Sequence, residues 1–129
     1  MNMKKLALIA IAVLAFSCKK ESEEPFGKPT EKTAEVQTPE ALGKEIFEGK
    51  GNCVACHQVD QKVIGPSIQE IAKIYKDKNG NMVNFLKGES EAIVDPAQFA
   101  VMQANLEITK TFTDEELKAV EAYMNSNLK

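Results

Sequence analysis

Cys53-Val54-Ala55-Cys56-His57 brings two thiols and an imidazole together within five residues. Cys-x-x-Cys followed at once by His is the attachment pattern of a covalent c-type haem. The spacing has a chemical reason. Two thiols three residues apart can each add to one of the porphyrin's two vinyl groups, and the next histidine is then held beneath the iron as its proximal ligand. The motif occurs once, so one haem c per chain is expected, bound through Cys53 and Cys56 with His57 as axial ligand.

Other uses of these side chains fit less well. A dithiol redox pair belongs beside a βαβ pattern, and no strand-like alternation precedes Cys53. Structural zinc takes four Cys or His ligands. Cys18, Cys53 and Cys56 are the only cysteines and His57 is the only histidine, which leaves that set one ligand short near the motif.

Helices must position this motif. Thr38-Pro39 reads as a helix start with proline in the first turn; Leu42, Ile46 and Phe47 share a face, and Gly49 can end the helix. A second helix opens at Ser67, with Ser67-x-x-Glu70 as a capping box and Ile68, Ile71, Ala72 and Tyr75 on one face. A short third helix is expected near Met82 to Lys87, between Gly80 and Gly88. Asp95-Pro96 suggests one more helical turn with Asp95 as its cap. The last helix starts at Thr113, where Thr113-x-x-Glu116 forms a capping box and Phe112 staples onto Leu117. Leu117, Val120, Tyr123 and Met124 give it a core face. The fold class is all-α, a domain over residues 38–129 with four to five short helices. So small a domain buries little core of its own, and the covalent haem is expected to serve as its centre.

The N-terminal third is different. Met1 to Lys5 is short and basic, and Leu6 to Phe16 is an apolar run of 11 residues. A bilayer span needs roughly 18 or more, so residues 1–17 read as a signal peptide and the chain as exported to the periplasm or cell envelope. Ala15-Phe16-Ser17-Cys18 resembles the lipobox of bacterial lipoproteins, which implies lipidation of Cys18 and a membrane anchor there. Ordinary signal peptidase cleavage is the alternative, since Ala15 and Ser17 also satisfy the small-x-small rule. Residues 18–37 are rich in Lys, Glu, Ser, Pro and Thr and read as a flexible linker. Removing residues 1–17 leaves 14 lysines against 19 acids, a net charge of −5 with no arginine, which argues against nucleic acid as a partner.

From the haem motif onward the chain resembles the class I c-type cytochromes, over most of residues 39–127. The resemblance implies the small class I fold and a proline carbonyl, here Pro66 of Gly65-Pro66, that orients the proximal histidine. It also implies a close crossing of first and last helices, with Gly43 and Phe47 meeting Val120 and Tyr123. A methionine is the family's sixth ligand, and a thioether there raises the potential. Met102, 45 residues past His57 where the family has its ligand loop, is the expected residue, with Met82 the alternative and Met124 read as core. Gln103 departs from the proline that often follows the methionine. The implied function is transfer of single electrons, by a carrier and not an enzyme, among redox proteins such as an oxidase, a reductase or a respiratory complex. Lys44, Lys50, Lys62, Lys73, Lys87 and Lys110 could ring the haem edge and dock an acidic partner, or be ordinary solvated lysines. A haem peroxidase would want a second histidine and an arginine, which are missing. The remaining alternative is a haem-based gas sensor with a weak or absent sixth ligand.

Overall fold

The computed structural model describes residues 37–129. The expected signal peptide, Cys18 and all of the linker except Gln37 lie outside the described residues. Within them are five α-helices and two 3₁₀ turns. Backbone pairing outside helices is limited, among the described residues, to an isolated antiparallel bridge between His57 and Lys62.

Helix α1 (Pro39–Glu48) begins where Thr38 accepts a hydrogen bond from the Ala41 N–H at 3.2 Å, satisfying one of the donors a helix start leaves unpaired. Helix α2 (Ile68–Asp77) uses Ser67 in the same way, at 3.1 Å from the Glu70 N–H. The reciprocal half of a capping box forms only at the last helix. There Thr113 caps Glu116 and the Glu116 carboxylate accepts the Thr113 N–H at 3.0 Å, opening α5 (Asp114–Ser126). At α2 the expected box is a single cap. Helix α3 (Met82–Leu86) is capped by the Asn81 side chain.

Helices α1 and α5 make the most extensive contact in the domain, and α2 and α3 also pack on α5. Gly43 makes that crossing close: a Cβ there would run into the Ala119 carbonyl oxygen and stand 2.8 Å from the Tyr123 Cβ. One turn on, the Phe47 and Tyr123 rings meet at 5.4 Å with a tilt of 60°. Tyr123 takes its expected place in the crossing, and Ala119 is the residue that Gly43 approaches most closely. Ile46, Phe47, Ile68, Ile71, Tyr75, Leu86, Leu117 and Val120 belong to one buried cluster, the hydrophobic core.

Between α3 and α5 the structure departs from expectation. Pro96–Gln98 is the anticipated turn, but it runs on into a full helix, α4 (Phe99–Thr109), and Met102 lies on that helix, not in a loop. Ala100, Met102, Gln103, Ala104, Leu106 and Glu107 are good helix formers. Their apolar pattern is not confined to one face: Leu106 is 4% exposed while Val101 is 59% exposed, so no single stripe marks the helix. Asp95 does not cap the turn either. Its carboxylate accepts instead from the Lys62 ammonium at 3.1 Å.

Candidate haem site

The motif is set directly after α1. Asn52 takes a left-handed conformation (φ 49°), which turns the chain into the 3₁₀ turn Cys53–Ala55. The Cys53 carbonyl then accepts from both the Cys56 N–H (3.1 Å) and the His57 N–H (2.9 Å). This one tight turn holds both thiols and the imidazole together. Cys53 and Cys56 are free thiols, each partly buried. Burial pushes the Cys53 thiol up to about 11, and the neighbouring Cys56 adds to the rise.

His57 is fixed by the segment that follows. Its Nδ1 lies 2.8 Å from the Pro66 carbonyl oxygen. A carbonyl only accepts, so Nδ1 carries the proton and Nε2 keeps the lone pair that a metal ion requires. Gly65 lies flat against the ring, and a Cβ there would overlap Cε1 and stand 2.8 Å from Nδ1. The loop is tied back on itself by the Gly65 N–H to the Cys56 carbonyl (3.0 Å) and the Ile68 N–H to the Gln58 carbonyl (2.8 Å).

Cys53, Cys56, His57, Pro66 and Met102 all line one apolar cleft, which is partly open to solvent. Apolar side chains from α2, α3 and α5, among them Ile71, Leu86 and Val120, make most of its wall. Met82 and Met124 also reach it, but they are 2% and 6% exposed and belong to the buried core. Met102 is half-buried and only borders that core.

The cytochrome c family model matches residues 40–127. A cytochrome c-551 of Pseudomonas denitrificans is 32% identical over 77 residues, covering 57% of this chain and 93% of that protein. The chain belongs to the cytochrome c family. A cytochrome c-552 of Nitrosomonas europaea is 48% identical over 40 residues, 31% of this chain and 38% of that protein. A cytochrome c-551 of Azotobacter vinelandii is 40% identical over 38 residues, 30% of this chain and 45% of that protein. The chain thus spans less than half the length of these last two relatives. It is a monohaem c-type cytochrome with one covalently bound haem c, an electron carrier and not an enzyme.

The residues present in this cytochrome fit that group. A cleft walled by apolar side chains from several helices suits a flat, largely apolar cofactor, with two thiols at its wall and an imidazole whose Nε2 is available. Four polar lining residues were not anticipated as such: Tyr75, Asp95, Gln98 and Asn105. Tyr75, read as core, is 6% exposed, and burial pushes its phenol up to about 12, with Glu121 contributing. Asn105 lies one turn after Met102 on α4. Helical spacing would have shown Asn105 once α4 was known.

The lysines do not form a free positive ring around the cleft. Each of the six singled out has a carboxylate partner: Lys44 with Glu48, Lys50 with Glu116, Lys62 with Asp95, Lys73 with Asp77, Lys87 with Asp114 and Lys110 with Glu107. Lys50 also lies over the Phe112 ring at 4.5 Å. At the cleft itself the exposed side chains are Ile64 at 56%, Val101 at 59% and the polar Gln98.

Proposed function

We propose that this cytochrome is an exported, membrane-tethered carrier whose iron is held between His57 and Met102. The observation that carries the reading is the opening of Cys53, Cys56, His57 and Met102 onto one apolar cleft, with Nε2 of His57 free to bind. The haem supplies the one-electron couple. Cys53 and Cys56 hold the group covalently, Pro66 fixes the imidazole through Nδ1 and raises its basicity, and the cleft wall excludes water. With His57 and Met102 both engaged, no position remains for a substrate. Met82 and Met124 are packed in the core, whereas Met102 has a thioether at the cleft outside that cluster. Met102→Ala should remove the charge-transfer band that marks methionine ligation in the oxidised protein, and Met82→Leu should keep it. A band that survives Met102→Ala would move the ligand elsewhere.

The partner is a redox protein such as an oxidase, a reductase or a respiratory complex. Docking runs through the apolar rim at Ile64 and Val101, because the nearby lysines are already paired. Reduction rates should therefore change little with salt, and a steep fall would favour charge-driven docking.

Export and tethering rest on the sequence of residues 1–37. Two or more acyl chains on Cys18 would hold the chain stably at a membrane, since each buried methylene contributes about 0.8 kcal/mol. Residues 19–37 would let the domain reach at most roughly 65 Å from the anchor. Confinement of that kind raises the carrier's concentration near a membrane-bound partner. Cys18→Ser should release a soluble red protein with an unchanged spectrum. Wild-type protein that washes off membranes in carbonate would instead be a freely diffusing carrier.

A further inference from the structure

The loop that carries His57 and the segment that carries Met102 are joined by one ion pair. Lys62 belongs to the proximal loop, where it forms the antiparallel bridge to His57 itself, so its backbone moves with that residue. Asp95 stands at the entry to the Pro96–Gln98 turn, lines the cleft, and precedes Met102 by seven residues. It holds the N-cap position of that turn, yet its carboxylate makes no cap and accepts from Lys62 at 3.1 Å. We propose that Lys62 and Asp95 form a latch that fastens the N-terminal end of α4 to the His57 loop and so retards dissociation of the distal ligand. The proposal rests on Met102 being that ligand.

The way α4 is held makes its N-terminal end the end that needs fastening. Its two buried residues, Leu106 and Thr109, both lie in the second half. There the Thr109 hydroxyl donates to the Leu86 carbonyl of α3 at 2.5 Å, which anchors the far end. At the near end Gln98 offers no side-chain cap, and Val101 is exposed. Other holds act on this stretch: Phe99 tilts against Phe85 at 6.0 Å, Lys78 donates to the Ile93 carbonyl at 2.9 Å, and Ile93, Val94 and Met102 pack against the core. Neither the Phe85 contact nor the Lys78 bond reaches the proximal loop. Lys62–Asp95 is the contact that makes the distance between the two ligand-bearing segments a shared property.

The pair is partly exposed, with the Lys62 side chain at 56% and Asp95 at 24%, so its effect is modest and screened by salt. Carbon monoxide reads it directly. Binding to the reduced holoprotein requires the methionine to leave, and at high carbon monoxide the observed rate becomes the rate of that departure. Asp95→Asn and Lys62→Gln should each raise the limiting rate about two- to fivefold, the factor expected from an exposed pair of this class. The wild-type rate should climb with added salt toward the variants' rate, and theirs should stay flat. The charge-reversed double variant, Lys62→Asp with Asp95→Lys, should return the slow, salt-sensitive behaviour. A general loosening of the fold would lower thermal stability without giving that rescue. Met102→Ala runs in parallel. A fast Met102→Ala beside an Asp95→Asn identical to wild type would overturn the latch alone. A Met102→Ala identical to wild type would overturn the ligand assignment and the latch with it.

Discussion

Replacing Gly65 by alanine places a methyl group where the proximal imidazole now lies. The new Cβ would overlap Cε1 of His57, with Nδ1 at 2.8 Å and Nε2 at 3.2 Å, whereas ordinary contact begins at 3.4 Å. The loop that carries Gly65 is itself tied, by the Gly65 N–H to the Cys56 carbonyl. The ring must therefore move, and its 2.8 Å bond to the Pro66 carbonyl lengthens or breaks. Overpacking of this kind costs about 1–3 kcal/mol, and a lost hydrogen bond adds about 0.5–1.5 kcal/mol. A total of about 2–4 kcal/mol lowers Tm by roughly 8–32 °C for a domain of this size. Loss of the bond to Pro66 also makes the imidazole less basic, which favours ferrous iron and raises the potential. Thermal unfolding of the holoprotein, followed by circular dichroism and haem absorbance together, tests the first claim, and a redox titration the second. A Gly65→Ala protein with unchanged Tm and potential would show that the loop relaxes around the methyl group and that the ring is not wedged.

Gly43→Ala drives a methyl group into the Ala119 carbonyl and separates α1 from α5. It should cost about 3 kcal/mol and lower Tm by about 12–24 °C, while the folded fraction keeps its haem spectrum. Protein made without haem attachment should be largely unfolded by circular dichroism, because a domain of this size buries too little alone; native-like helicity would mean that the helix packing suffices. Tyr75 should contribute to alkaline instability. Its folded pKa of about 12 lies above the unfolded value near 10, so the folded state keeps a proton that the unfolded state loses, and stability falls as pH rises from 10 to 12. Tyr75→Phe should flatten that fall, and an equal slope would place the phenol in solvent.

What could be read from the sequence was whatever short-range chemistry decides. The haem motif is five contiguous residues whose function depends on their spacing alone. The caps at Thr38, Ser67 and Thr113 act on N–H groups three residues away, and each forms. The α1–α5 crossing was implied by the family resemblance and not by local pattern, and Gly43 stands at the close approach it called for. The misses depend on tertiary contacts. Helix α4 has no single apolar stripe, and its anchor is a threonine hydroxyl reaching the Leu86 carbonyl 23 residues earlier. Asp95 beside proline has the local pattern of a cap, but Lys62, 33 residues away, takes its carboxylate. Likewise Lys50 meets Glu116 across 66 residues, so a lysine that looks free in the sequence is already paired. The two pairs at i, i+4 spacing, Lys44–Glu48 and Lys73–Asp77, were open to the same local reasoning that found the caps.

The central claim is that Cys53 and Cys56 bind one haem covalently, and a denaturing gel stained for haem peroxidase activity tests it most directly. Mature protein should keep its stain through denaturation and through extraction with acidic acetone, and the double variant Cys53→Ala, Cys56→Ala should show none. Haem that leaves the native protein in acidic acetone would contradict covalent attachment.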